Sequence, residues 1–277
     1  MTLSVHTNSA AMIALQNLNK TNEEMEQVQS RINTGLKIGG SKDNAAIYAV
    51  AQSMRADIRA LDAVQSGLDR ASTIGDVALA AGEAISDLLV QMREKAVAAM
   101  DPSLDTFSRA AYDSDFKSLL DQIQVIIDNA EFDGANMING AVTNGIEFLA
   151  DADATRSVTL KSQDLTFGGA IITLAATASL GTVTLASGIA TTIQTSLDNV
   201  NQALANLGSD TKKLEAHSGF VNKLMDSLEK GVGDLVDADL ATESAKLQAL
   251  QVKQQLGVQA LSIANSAPQI ILNLFQG

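Results

Sequence analysis

The chain has 277 residues, 46% of them hydrophobic but only 3% aromatic, and its 19 Lys and Arg against 32 Asp and Glu give a formal net charge of −13. Phosphate recognition needs clustered cations, so this balance excludes DNA and RNA as partners. With no Cys there is neither a disulfide scaffold nor thiolate chemistry, and with seven Phe, two Tyr and no Trp the packing falls to Ala, Leu, Ile, Val and Met. That palette suits thin helix–helix seams better than an aromatic-lined ligand pocket.

Residues 8–36 read as a helix. Ala11, Leu18, Met25 and Ile32 recur every seven residues, with Leu15 and Leu36 on the neighbouring seam position and Asn22 and Gln29 interrupting it. So thin a stripe makes a helix that is marginal alone in water, and the segment needs a partner. Gly35 and Gly39-Gly40 break the pattern, and Ser41 or Asp43 is expected to cap a second helix over about 44–100. Its first stripe is Ile47, Ala51, Met54, Ile58, Leu61, Gln65 and Leu68. A second, offset in register, is Ile74, Ala78, Ala81, Ile85, Leu89, Met92, Ala96 and Ala99. At the α-helical rise such an element is about 80 Å long, too long for a compact domain and right for a rod. Asp101-Pro102 ends it.

A third helix opens at Asp105 or Thr106 and carries Tyr112, Phe116, Leu119, Ile123, Ile126 and Ala130. Phe132-Asp133-Gly134 and Asn139-Gly140 are turn signals. The periodicity then changes to short alternating runs, Ile146 to Leu149 and Ser157 to Lys161, and Thr182-Val183-Thr184-Leu185 is also expected to be a strand. The stretch between Asp164 and Asp198 is uncharged. Its Thr, Ser and Gly content and its lack of basic anchors argue against a membrane span. Its Ser and Thr residues from 155 to 195 are candidate carriers of O-linked sugars or plain turn residues.

From Ile193 to Leu235 runs an unbroken heptad: Ile193, Val200, Leu207, Leu214, Val221, Leu228 and Leu235, with Leu197, Leu204, Thr211, Ser218, Met225 and Val232 between them. A period of 3.5 residues held this long asks for a long partner helix. After Gly231 and Gly233 a final helix is expected, with Leu247, Leu250, Leu261, Ala264, Ile271 and Phe275 on or beside one face and Pro268 as a kink or late element. The fold class expected is mainly α: a long antiparallel helical coiled-coil hairpin or bundle with a small β-rich insertion in the middle of the chain. Residues 1–40 pair with 236–277, residues 41–140 pair with 190–235 as a rod, and 141–189 form the insertion.

Chemistry-bearing motifs are wanting. His6 and His217 are the only histidines, and neither a His-x-x-x-His nor a His-Glu-x-x-His spacing occurs. Gly231-Val232-Gly233 lacks the third glycine of a dinucleotide site, and no Gly-Lys-Ser/Thr phosphate loop is present. The expectation is no catalytic residue, no metal and no cofactor, with function carried by surfaces. The N-terminus lacks the basic start and apolar run of a cleaved signal peptide, so export would need a signal-independent machine.

Asn8, Ala14-Leu15-Gln16-Asn17-Leu18, Ser30 to Ile38 and Ser41 to Ala46 at one end, and Asp237 to Glu243 and Ala264 to Gln269 at the other, together resemble bacterial flagellin. Phe132-Asp133-Gly134 is similar to the turn that opens that family's β region. The shortness of the middle resembles the flagellins of α-proteobacteria. Leu88 to Lys95 corresponds to the stretch that innate receptors read in many members; Arg93-Glu94 matches it, and Gln91 and Lys95 depart from it.

The resemblance implies a structural subunit that polymerises into an extracellular filament for swimming. Its implied partners are copies of itself, paralogous flagellins, the flagellar type III export apparatus, an export chaperone, and hook-associated and cap proteins. The alternatives are a hook–filament junction protein and a secreted coiled-coil adhesin or binding module. The residues expected to bury against other copies are Leu15, Leu18, Met25, Ile32, Leu247, Leu250, Leu261 and Ile271. Their stripes are too thin to be satisfied within one molecule, so ordering of the ends should wait for assembly.

Overall fold

A computed structural model describes residues 8–275, with side-chain surroundings for residues 8–266. His6 and the side chain of Ile271 therefore lie outside the described residues. The described elements run α1 (Ser9–Thr34), α2 (Ala45–Ala99), α3 (Thr106–Asn129), β1 (Glu131–Phe132), β2 (Ala135–Asn136), β3 (Ile146–Leu149), β4 (Ser157–Leu160), α4 (Val183–Val236) and α5 (Leu240–Phe275). The chain is mainly α, with small two-stranded sheets in its middle. It divides into two compact units, residues 1–56 with 227–277 and residues 57–226.

In the second unit the seam of α2 runs without a break. Buried positions from Leu61 step by three and four residues through Val64, Leu68, Ala71, Gly75, Ala78, Gly82, Ile85, Leu89, Met92, Ala96 and Ala99. The register offset expected between Leu68 and Ile74 is absent, because two glycines hold seam positions. A Cβ on Gly75 would meet Thr211 Oγ1 at 2.5 Å, and one on Gly82 would meet Leu204 Cδ2 at 2.6 Å. These glycines let α4 approach α2 closely and antiparallel, a fit that hydropathy alone does not register. On α4, Ile193, Leu197, Val200, Leu207, Thr211, Leu214 and Val221 are buried as the heptad requires.

Helix α3 closes the bundle with Phe116, Leu119, Leu120, Ile123 and Ile127 buried. Asp105 caps it by accepting from Ser108 N at 2.7 Å. Lys95 of α2 pairs with Asp115 of α3 at 2.8 Å. The expected turn at Asp133-Gly134 joins β1 to β2, with φ of 51° and 78°, the left-handed pair that a tight hairpin needs. Strands β3 and β4 fall on the two alternating runs and pair antiparallel, Ile146 opposite Leu160 and Leu149 opposite Ser157. Their inward side chains, Phe148 and Leu160, join Leu165, Ile172, Leu174 and Leu180 in burial. Asp113 of α3 anchors this region, accepting from Leu180 N at 2.6 Å and Ser179 Oγ at 2.8 Å. Residues 141–189 thus belong to the same compact unit as the bundle.

Two local expectations fail. Thr182 to Leu185 is not a strand: Thr182 caps α4, its Oγ1 accepting from Leu185 N at 3.2 Å and its carbonyl from Ala186 N at 2.9 Å. A hydroxyl that offers the backbone a cap outweighs a four-residue alternation. Helix α2 is capped by neither Ser41 nor Asp43 but by Asn44, whose Oδ1 accepts from Ala46 N and Ile47 N at 3.1 Å each. Helix α4 runs through Gly231 and Gly233 to Val236, as the heptad to Leu235 leads one to expect. A Cβ on Gly231 would press on Met54 Cε at 2.8 Å, so this glycine too serves packing.

Candidate assembly interface

The first unit brings the two chain ends together. Asn8 caps α1 through Oδ1, which accepts from Ala11 N at 3.1 Å, while its Nδ2 donates to the Ala264 carbonyl of α5 at 2.7 Å. Further along the pair, Gln254 Nε2 donates to Asn22 Oδ1 at 2.8 Å, and Lys253 lies 3.5 Å from Glu24. Arg31 reaches Glu243 at 3.5 Å. Partners drawn from ever earlier in α5 as α1 advances make the pair antiparallel.

The connectors lock the same end of the pair. Gly35, at φ 72°, ends α1 in the left-handed conformation. Leu36 then bridges Asp237, with Lys37 N donating to Val236 O at 2.7 Å and Ala238 N to Gly35 O at 2.8 Å. Asp239 caps α5 by accepting from Ala241 N and Thr242 N, and Thr242 Oγ1 donates to its other oxygen at 2.6 Å. The Thr242 hydroxyl and these amides hold the Asp239 carboxyl below the usual carboxylate range. Glu243 is lowered too, chiefly by its hydrogen bond from Lys246, with Arg31 adding attraction against the opposing effect of burial. The segment 30–38 therefore meets 236–243, so two motifs from opposite ends of the chain form one clamp.

The seam of this pair is half-buried along most of its length. On α1 the buried or half-buried positions at seam spacing are Ala11, Ala14, Leu18, Thr21, Met25, Val28 and Ile32, and on α5 they are Glu243, Leu247, Leu250, Gln254, Gly257, Leu261 and Ala264. Both sets alternate steps of three and four residues, as a coiled-coil seam does. A Cβ on Gly257 would sit 3.3 Å from Leu18 Cδ1, so the glycine receives the leucine. Six of the expected interface residues thus occupy this partly covered seam: Leu18, Met25, Ile32, Leu247, Leu250 and Leu261. Leu15 does not. The second seam position is Ala14, Thr21 and Val28 rather than Leu15, Asn22, Gln29 and Leu36, and Leu15 is 47% exposed.

A separate apolar surface faces away from the seam. Met12 at 58% and Ile13 join Leu15 on the first turns of α1, and on α5 Val252, Leu256 at 59%, Val258 and Ile263 at 70% are exposed. Val252, Leu256 and Ile263 continue back through Ala249 and Ala245 at helical spacing, so α5 carries two stripes. The second was legible as a heptad but was masked by the larger leucines of the first. Among the described residues no group of three His, Cys, Asp or Glu is placed to hold a metal, and no helix is long and apolar enough to cross a membrane.

Residues 5–143 match the family described as the bacterial flagellin N-terminal helical region, and residues 190–275 match the bacterial flagellin C-terminal helical region. The chain belongs to the bacterial flagellin family. It is 51% identical to the Caulobacter vibrioides flagellin FljJ over the full length of both chains. A Brucella melitensis flagellin is 39% identical, covering 99% of each chain. A protein described as a flagellar hook-associated protein, from Vibrio parahaemolyticus, shares the fold at 16% identity with a TM-score of 0.58, over 70% of this chain and all of that one. This flagellin is accordingly a structural subunit of the flagellar filament, with relatives among the α-proteobacteria. The clamp gives its terminal motifs a physical role: caps, a cross-chain bridge and an ion pair that register one end on the other.

Proposed function

We propose that the α1–α5 pair is the part of this flagellin that binds other copies, with each face of the pair doing a different task. The seam holding Leu18, Met25, Ile32, Leu247, Leu250 and Leu261 aligns the two helices. The outward stripe of Val252, Leu256 and Ile263, with Met12, Ile13 and Leu15, docks on neighbouring subunits. In the sequence Ile271 stands one heptad beyond Ala264, and it is assigned to the same interface on that spacing alone. The observation that supports this reading is the exposure of Val252, Leu256 and Ile263 at helical spacing on α5 of an otherwise acidic chain, since exposed apolar surface of this kind marks an interaction site. Covering each of these half-exposed side chains contributes about 1–2 kcal/mol, repeated at every copy. Such contacts are heterologous and do not close, so they propagate a helical polymer.

On this reading residues 1–40 with 236–277 form the filament core, 41–140 with 190–235 the rod, and 141–189 a short outer insertion. The subunit leaves the cell unfolded through the flagellar type III apparatus, with a chaperone holding its C-terminal helix and hook-associated and cap proteins at the filament ends. It performs no catalysis. Electron microscopy of concentrated protein tests the proposal. Leu256→Asp should abolish filaments while leaving the helix content intact, and normal filaments from that variant would refute the assignment of the outward stripe.

A further inference from the structure

The sequence contains two Asn-Gly pairs, Asn139-Gly140 and Asn144-Gly145, and the structure places them in opposite surroundings. Asn139 is half-buried and held. Its Oδ1 accepts from Ala141 N at 2.9 Å, and its own N–H donates to Asn136 Oδ1 at 3.1 Å. A Cβ on Gly140 would lie 3.0 Å from an oxygen of the Asp164 carboxylate. Asn144 is exposed beside exposed Thr143, in the loop that enters β3, and its side chain makes no hydrogen bond among the described residues.

Gly145 cannot be exchanged for a residue that would shield this position. Its φ is +83°, and a Cβ there would run into the Leu160 carbonyl oxygen and come within 2.9 Å of Lys161 Cα. The β3–β4 hairpin therefore requires a glycine after Asn144, the neighbour that least hinders attack by its own backbone nitrogen.

We propose that Asn144 is a site of spontaneous deamidation and isoaspartate formation, and that Asn139 is protected by its fold. The Gly145 backbone nitrogen loses its proton to hydroxide and bonds to Asn144 Cγ. The Cγ–Nδ2 bond breaks, and ammonia leaves with a proton from water. The five-membered imide that remains is opened by water at either carbonyl. One opening yields aspartate, and the other yields isoaspartate, with one extra methylene in the backbone. No oxidant or enzyme is required. At Asn139 the same attack needs the peptide to rotate against two hydrogen bonds and a nitrogen to become anionic beside Asp164. Conversion at Asn144 adds one negative charge at the mouth of the β3–β4 hairpin.

The test is peptide mapping by mass spectrometry of the purified full-length chain after incubation in mildly alkaline buffer, with isoaspartyl methyltransferase labelling as a second readout. In native protein Asn144 should convert at least about tenfold faster than Asn139, a gap that needs only 1.36 kcal/mol of barrier. In concentrated guanidinium the two rates should converge, because both are Asn-Gly. Asn144→Gln should remove the early mass shift and the label with unchanged circular dichroism. Equal native rates, faster native conversion at Asn139, or an early label that survives in Asn144→Gln would overturn the proposal.

Discussion

The bundle of residues 57–226 and the paired ends of residues 1–56 with 227–277 use the same heptad device with different results. In the bundle three helices and a β region cover one another, and Leu68, Ile85, Leu89, Phe116 and Ile123 reach full burial. Between α1 and α5 only two helices meet, and the buried residues of that seam are Thr21, Val28 and Glu243. Two helices cover one stripe each and leave the rest of their surfaces outward. The difference teaches what a third helix adds to a heptad seam: the bundle buries its seam, and the α1–α5 pair leaves its seam half-covered.

The comparison breaks most visibly at the outward stripe. Leu256→Asp or Ile263→Asp should eliminate polymer with little change in the melting of the bundle, read by electron microscopy and calorimetry. Leu18→Asp or Leu261→Asp should also eliminate polymer but by separating α1 from α5, visible as faster amide exchange across both helices. If the outward and seam variants showed identical exchange, the two faces would not have distinct tasks.

Within the bundle the reverse pattern is expected. Leu89→Ala deletes a fully buried side chain and should destabilise that unit by about 2–5 kcal/mol in denaturant titration. Gly75→Ala should cost less, about 1 kcal/mol net. Crowding against Thr211, whose Oγ1 is already held by Leu207 O at 3.0 Å, exceeds the gain in helix propensity.

The mildest perturbation is acid. Asp239 and Glu243 have carboxyls lowered in the folded state, so their contribution is complete above the ordinary carboxylate range and lost as pH falls from that range through the lowered folded-state values. Exchange protection of α5 near Leu240 should weaken on acidification. Asp239→Ala should flatten part of that pH dependence at the N-terminus of α5.

Much of this was written in the chain. The heptad from Ile193 to Leu235 is a helix seam, and the alternation at Ile146 and Ser157 gives the paired strands. The terminal motifs pointed to flagellin. The phase of the α1 seam was harder to read, because Leu15 looks like a better seam residue than Ala14 and Thr21 than it is. Only contact with α5 chooses between them. The glycines at positions 75 and 82 read as breaks in a stripe, yet they are where Thr211 and Leu204 of α4 pack against the α2 backbone.

Composition and periodicity by themselves determined that this polypeptide would be a set of long helices, because seam spacing is a local property of residue order. Tertiary structure alone decided which of two apolar stripes on α5 would be covered, and that segments 30–38 and 236–243 would clasp. Those outcomes depend on which surfaces meet across a separation of some 200 residues, and no local pattern carries that information.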